Sequence, residues 1–183
     1  MVIIMIKRTV SFFENICSRS LPLARLYCLP YRRVVKKEIE LAGIGPGDIV
    51  LNIGCGAIPF TAIFVAGLSG AKVIAADKNP KAAHLARKCI HRVGLAHLIK
   101  TIECDCSQWV PEDFTVALVA LQAEPKEAIL NKIFSKGENR RIVSRAASRF
   151  FQKHYSLLPQ AYEKRAEVVQ NMKTFDRSVL FVT

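Results

Sequence analysis

Residues 47–87 read GDIVLNIGCGAIPFTAIFVAGLSGAKVIAADKNPKAAHLAR, and this stretch restricts the fold more than any other. It predicts an apolar strand over Ile49–Ile53, a glycine turn, a helix over Pro59–Leu68 closed by Gly70, and a second strand over Lys72–Ala76 ending at Asp77. Strands that are continuously apolar, rather than alternating, are buried on both faces, as in a parallel sheet covered by helices. A strand–turn–helix–strand unit of this kind is half of a nucleotide-binding sheet, with both strand ends where a ribose-bearing ligand sits.

The turn narrows the choice of ligand. A dinucleotide fingerprint places a third glycine three residues after the second, which lets the helix pack closely and face a pyrophosphate. Gly54 and Gly56 are present, but Pro59 occupies the third position. Pro59 suits the first turn of a helix, where its missing N–H costs nothing, yet it does not restore the tight helix–strand contact. No Lys-Ser or Lys-Thr pair follows, so the turn is not a phosphate-gripping P-loop. A ligand without phosphates fits better, and S-adenosylmethionine is the common ligand of that description. Asp77 then stands ready to accept hydrogen bonds from both ribose hydroxyls. The alternative is a structural βαβ unit without a ligand.

The chain has 183 residues, one domain's length, and is 51% hydrophobic, which argues against disorder. No apolar run reaches bilayer length, and the opening MVIIMIKR is too short for a signal-peptide core. A cytoplasmic protein without membrane association is the expectation. Cys17, Cys28, Cys55, Cys89, Cys104 and Cys106 form no C-x-x-C pair, so neither a disulfide framework nor a metal site is expected. Cys104 and Cys106 share one face of a strand, in core or cleft. The net charge of +12 is the rival clue, because strongly basic domains often bind nucleic acid. Two clusters carry it: Arg32, Arg33, Lys36 and Lys37, and Arg140, Arg141, Arg145 and Arg149. Neither is interleaved with the stacking aromatics of single-strand binders. A solvated basic face, or one that draws in an anionic substrate, is the plainer reading.

Along the rest of the chain, residues 1–30 read as one or two short helices with Phe12, Phe13, Ile16 and Leu23 apolar, broken by Pro22 and Pro30. Tyr31–Ala42 reads as an amphipathic helix with Val34, Val35, Ile39 and Leu41 on its apolar face. Pro80–Val93 is a helix started by proline and closed by Gly94. Strands are expected over Ile99–Cys104, Val116–Leu121 and Arg141–Ala146, and helices over Pro125–Phe134 and Arg149–Tyr162. A closing pair of strands is expected over Glu167–Phe175 and Ser178–Val182, turning at Asp176 and Arg177. Alternation of strand and helix five times, then two strands, predicts a seven-stranded, mostly parallel sheet ending in an antiparallel hairpin.

This order resembles the class I S-adenosylmethionine-dependent methyltransferases, whose fold is a three-layer αβα Rossmann-like sandwich. LNIGCG resembles the first motif of that family, VIAADKNP the second and IECDC the third. The resemblance spans residues 48–183 and implies an S-adenosylmethionine-binding domain over 43–183, preceded by a helical lid segment over 1–42. It implies Asn52, Gly54, Cys55, Gly56, Asp77, Lys78, Asp105, Cys106 and Leu121 as cofactor-binding residues, with Asp105 on the adenine amino group. Asn52 stands where many members carry an acid.

A narrower resemblance is to the nicotianamine synthases and their bacterial and archaeal relatives. GCGAIPFTA is similar to their GSGPLPLTS signature, and VALVALQAEPKEAILNKIF with IVSRAASRFF is similar to their strand, helix and Arg-Ser-Ala stretch. The resemblance implies transfer of the cofactor's 3-amino-3-carboxypropyl arm to an amine of a small molecule. It makes Tyr31 the candidate catalytic and substrate-lining residue, and Glu14 a candidate for the glutamate of the family's N-terminal domain. Tyr31 has three readings: a ring facing the sulfonium, a hydroxyl helping to deprotonate the amine, or packing alone. Thr61 and Phe60 follow the glycine turn, where Thr61 reads as a contact to the cofactor's carboxylate or as a helix-packing residue. Gln122, at the end of the fourth strand, is the candidate acceptor-binding residue. His84, His91, His97 and His154 receive no catalytic role. Methyl transfer to a small molecule or to RNA is the alternative activity, although the Asn/Asp-Pro-Pro-Phe/Tyr motif of base-methylating enzymes is missing after the fourth strand. A non-catalytic cofactor-binding module is the third reading. A homo-oligomer is among the arrangements the sequence allows.

Overall fold

The computed structural model describes residues 21–183, with side chains described from Pro30 onward. The expectations on residues 1–20, including Phe12, Phe13, Glu14, Ile16 and Cys17, lie outside the described residues. So do the side chains of Leu23 and Cys28.

Helix α1 (Leu21–Ala42) continues through Pro30, so the expected break there does not occur. Proline removes one N–H from the helical ladder, but the turns that follow are fixed by packing: Val34, Val35, Glu38 and Ala42 are all buried. Pro22 is the second residue of the helix, where a missing N–H leaves no bond unmade.

After a turn come β1 (Ile49–Ile53), α2 (Phe60–Ser69), β2 (Lys72–Asp77), α3 (Pro80–Arg92) and β3 (Ile99–Glu103), each within a residue or two of expectation. Gly70 closes α2 in the left-handed conformation with φ 71°, and Asn79 caps α3 by accepting from the N–H groups of Lys81 and Ala82. Then follow β4 (Val116–Val119), α4 (Lys126–Phe134), β5 (Arg141–Ala147), β6 (Lys164–Val169) and β7 (Phe175–Val182). The expected helix over Arg149–Tyr162 is instead irregular chain holding one 3₁₀ turn at Gln152–His154. Its apolar residues lack a helical stripe (Phe150 is 93% exposed while Phe151 is half-buried), so helical packing has no face to use. The expected final turn at Asp176 and Arg177 also moves. Those residues belong to β7, and the chain reverses at 170–174.

The seven strands form one sheet in the order β3-β2-β1-β4-β5-β7-β6. All pairs from β3 to β5 are parallel, and β7 inserts antiparallel between β5 and β6. Alternate residues divide the core. Val50, Val73, Val116 and Val143 pack under α1, α2 and α3. Leu51, Ala117, Ile142 and Phe181 pack against α4 and the 110–114 segment. Three layers of this kind are what the sequence predicts. Among the described residues no helix is long and apolar enough to cross a membrane.

The amino edge of the sheet is closed by charge. Asp48 Oδ2 accepts from the Gly45 N–H at 2.8 Å, and Oδ1 accepts from the Thr115 hydroxyl at 2.7 Å and from the Arg141 guanidinium. Arg141 also donates to the carbonyls of Ala42 and Gly43, tying the end of α1 to β5. Burial pushes the Asp48 carboxyl up, but the Gly45, Thr115 and Arg141 donors outweigh it and hold it below the usual carboxylate range. A carboxylate with a depressed pKa stabilises the fold above its unfolded value of 3.8 and loses that contribution as pH falls through its folded value. Asp48→Asn should therefore cost about 1–3 kcal/mol at pH 7. In urea titrations the gap to the wild type should close as pH falls below about 4.

Candidate functional site

The carboxyl ends of β1, β2, β4 and β5 converge on one row. Ile53 pairs with Ala76 and with Val119, which pairs with Ser144. One position further on therefore lie Gly54, Asp77, Ala120 and Arg145.

Gly54 and Gly56 hold the turn after β1, with φ 74° and 69°, a region side chains seldom tolerate. A Cβ on Gly54 would come within 3.2 Å of the Ala123 Cβ and 3.4 Å of the Ala120 Cβ, so the loop after β4 can lie directly against the turn. A Cβ on Gly56 would meet no atom within 4 Å, which marks open space above the turn. The N–H groups of Gly54 and Cys55 both donate to the Ala76 carbonyl at 2.9 and 3.0 Å. Asp77 completes the clamp: Oδ2 accepts from the Gly56 N–H at 2.8 Å and Oδ1 from the Asn79 N–H at 2.9 Å. Each of its oxygens keeps a further lone pair for a ligand hydroxyl.

Asn52 lies one row below, 1% exposed. Its amide donates weakly to the Leu118 carbonyl at 3.5 Å and its Oδ1 has no partner. Beyond β3, Asp105 is exposed and its Oδ1 accepts from the N–H and hydroxyl of Ser107. Those two bonds hold its carboxyl below the usual range, opposed by slight burial and aided by Lys78. Cys104 and Cys106 do share a face, with their sulfurs 3.9 Å apart, although β3 has already ended at Glu103. Cys106 is buried, and burial together with Cys104, Asp105 and Asp77 pushes its thiol well up; burial and then Asp77 push the Cys55 thiol up to about 12. Both are therefore neutral thiols that can only pack or donate weakly. Lys78 reaches across to donate to the Glu124 carbonyl at 3.0 Å. Leu121 turns into a small apolar cluster with Val34, Ala147 and Phe175, while Gln122 is exposed. On α1, the Tyr31 ring lies 5.9 Å from that of Phe60, the first residue of α2.

Two functional-looking residues escape the sequence reading. Arg145, expected on a solvated basic face, is instead buried, as is the Glu38 carboxylate that pairs with it. Arg145 Nε and Nη2 donate to the two oxygens of Glu38, both at 2.8 Å, and Nη2 also donates to the Thr61 hydroxyl at 3.0 Å. Ser178 donates to Glu38 and accepts from Gln170. Burial works against the guanidinium charge, but Glu38 outweighs it and raises the Arg145 pKa, with a contribution from Tyr31. A signal did exist: Glu38 is four residues after Val34 and three after Val35, on the apolar face of α1. Arg140 is likewise drawn inward, over the Phe114 ring and onto carbonyls of the 112–114 segment. The second residue is Lys126, fully buried at the start of α4. Its ammonium donates to the carbonyls of Ala120, Leu121 and Ala123, the loop that touches Gly54. No sequence pattern marks it.

No protein-family model matches the chain. Over 122 residues it is 28% identical to the L-histidine 2-aminobutanoyltransferase of Yersinia pestis, a match that takes in 66% of this chain and 46% of that protein. The chain thus spans about half the length of the curated relative it matches. Among solved structures, a variant of the nicotianamine synthase MtNAS in complex with S-adenosylmethionine superposes with TM-score 0.83 at 23% identity, over 100% of this chain and 74% of that one. The fold is that of the class I S-adenosylmethionine-dependent methyltransferases. An RNA methyltransferase from Salinibacter ruber in complex with S-adenosyl-L-homocysteine shares it at TM-score 0.66 and 18% identity, over 82% of this chain and 90% of that one.

Within this methyltransferase fold, Lys126 braces the loop that supports the glycine turn. Burial lowers its pKa to about 8 from an ordinary 10.5, against the pull of Glu124 and with a further lowering by Arg145. The unfolded chain then binds the extra proton between those values, so stability rises with pH across that window. Relative to Lys126→Met, the wild type should gain up to about 2 kcal/mol in urea titrations between pH 8 and 9.5. A constant difference would mean that the ammonium is not desolvated.

Proposed function

We propose that the chain is an S-adenosylmethionine-dependent transferase that moves the 3-amino-3-carboxypropyl group to an amine of a small molecule. The observation that carries this reading is the agreement of two unlike comparisons. Sequence points to an aminobutanoyltransferase and shape to a nicotianamine synthase. The residues at the carboxyl edge fit the cofactor. Gly56 opens onto free space, Asp77 keeps acceptor capacity for ribose hydroxyls, and Asp105 stands exposed at the end of β3 where an adenine amino group would lie.

When bound, the cofactor supplies a sulfonium whose γ-carbon is open to an amine: the new C–N bond forms as the C–S bond breaks, and methylthioadenosine leaves. The protein's part is to orient the two reactants and exclude water. Gly54, Cys55 and Gly56 shape the turn, with Asn52 beneath it. Asp77 and Lys78 would hold one end of the cofactor, and Asp105, Cys106 and the Leu121 backbone would line the other. Tyr31 would offer a ring to the cation, worth on the order of 0.5–2 kcal/mol, and a hydroxyl to the amine proton. Gln122, exposed just past the end of β4, would meet the acceptor.

Methyl transfer is the second reading, favoured by the methyltransferases that share the fold. Mass spectrometry of products from purified protein, S-adenosylmethionine and a panel of amines separates the two. Methylthioadenosine is the expected product, whereas S-adenosylhomocysteine would establish methyl transfer instead. Asp77→Asn should weaken calorimetric binding of S-adenosylmethionine by about 1–3 kcal/mol. Unchanged affinity would mean that the ribose lies elsewhere.

A further inference from the structure

We propose that Arg145 is the carboxylate anchor of the cleft, its Nη1 amino group taking the carboxylate of an amino-acid-bearing ligand while Glu38 and Thr61 hold the opposite edge of the guanidinium. The inference rests on the proposed function and deepens it.

A guanidinium has five N–H donors. Glu38 and Thr61 engage Nε and Nη2, and Nη1 makes no hydrogen bond among the described residues. Yet the sealed polar atoms without a partner are Asn52 Oδ1, Thr101 Oγ1 and Ser144 Oγ, and Nη1 is not one of them. Nη1 is thus the part of the guanidinium left for a further acceptor, on a side chain that keeps 7% of its surface exposed. By strand register Arg145 belongs to the row of Gly54, Asp77 and Ala120. Arg145 lies one residue past the pairing of Ser144 with Val119, and it touches Thr61, the second residue of α2.

The surroundings favour an anion there. The N-cap of α2 is Pro59, which supplies no side-chain acceptor, so the positive end of the helix is left for another group. Phe175 stacks against the guanidinium with its ring centre 5.3 Å from Cζ, fixing the plane of the fork. The other buried cation, Lys126, is no competitor, because its ammonium is turned onto three carbonyls. A buried Glu–Arg pair alone is an inefficient stabiliser, since well-packed apolar residues often do as well. A pair that leaves two guanidinium donors unengaged at the strand ends has the makings of a receptor. The carboxylate could come from the cofactor's own amino-acid arm or from an amino-acid acceptor.

Calorimetric titration tests the anchor. The wild type, Arg145→Lys and the double variant Arg145→Met with Glu38→Gln would each be titrated with S-adenosylmethionine, its decarboxylated form and methylthioadenosine. Each would then be saturated with methylthioadenosine and titrated with L-histidine and with histamine. Arg145→Lys keeps the ion pair with Glu38 and loses the second amino group. The double variant leaves no buried charge unpaired, so at least one of the two should melt cooperatively.

If the cofactor's carboxylate is held, the variants should lose on the order of 10–100-fold for S-adenosylmethionine, with methylthioadenosine unchanged. The wild type should then bind the decarboxylated form correspondingly weakly. If the acceptor's carboxylate is held, the loss should fall on L-histidine and spare histamine. Equal losses for carboxylated and carboxyl-free ligands would reduce Arg145 to a structural role and overturn the anchor. Equal wild-type affinities within both comparisons would overturn it even without variants. A wild type that binds none of the adenosyl compounds would remove the proposed function, and the anchor with it.

Discussion

The Glu38–Arg145 pair is the contact on which the arrangement of this site depends. It joins α1 to β5 across 107 residues of sequence, with both side chains almost wholly buried. Taking two charges out of water costs several kcal/mol each, and only good geometry and further hydrogen bonds offset it. Both conditions are met here. The carboxylate receives two guanidinium N–H groups and the Ser178 hydroxyl, and the guanidinium also reaches Thr61. Because those partners come from α1, α2, β5 and β7, one network fixes how the first helix lies on the sheet. The position of Tyr31, two turns earlier on the same helix, follows from it.

The two edges of the sheet are built on opposite rules. At the amino edge Asp48, Thr115 and Arg141 satisfy one another and the surrounding backbone. At the carboxyl edge satisfaction is partial. Asp77 has acceptor capacity left, Asn52 Oδ1 has no partner, and Gly56 faces open space. Native structures seldom leave polar groups short of partners without a reason, and here the shortfall collects on the edge where α/β sheets take their ligands. Lys126 serves that edge from below. By binding the carbonyls after β4 it keeps the 120–123 loop compact enough for Gly54 to touch it.

How much of this was legible depended on whether local chemistry or long-range pairing decided the outcome. The apolar runs Ile49–Ile53 and Lys72–Ala76 and the glycines between them marked strands and turn directly, because buried parallel strands and positive φ each demand particular residues. The same holds for the Asn79–Pro80 start of α3. The segment 149–162 reads as a helix because a few apolar residues in a row look helical until their exposure is known. Pro30 reads as a break, yet a helix anchored by tertiary packing tolerates a proline that propensity alone would forbid. The pairing of Glu38 with Arg145 lay beyond local reading altogether. Each residue betrays itself only as a charge within an apolar pattern, and that they meet is a property of the fold.

The distribution of basic residues bears on the choice of partner. A net charge of +12 invites a nucleic-acid reading, but charge attracts a polyanion only where it is exposed and contiguous. Arg140 stacks on Phe114, Arg141 is paired with Asp48, Arg145 is paired with Glu38, and Lys126 is sealed under a loop. On α1, Lys37 donates to the Val169 carbonyl, while Arg32, Arg33 and Lys36 stay outward, Lys36 in an exposed pair 3.7 Å from Glu40. Part of the second basic cluster, together with Lys126, is therefore spent holding helices and loops to the sheet, while Lys and Arg side chains elsewhere on the described surface stay exposed. Under the anchor proposed above, the recessed Arg145 guanidinium at the strand ends would serve one carboxylate, a different scale of recognition from the row of phosphates that an exposed basic surface attracts.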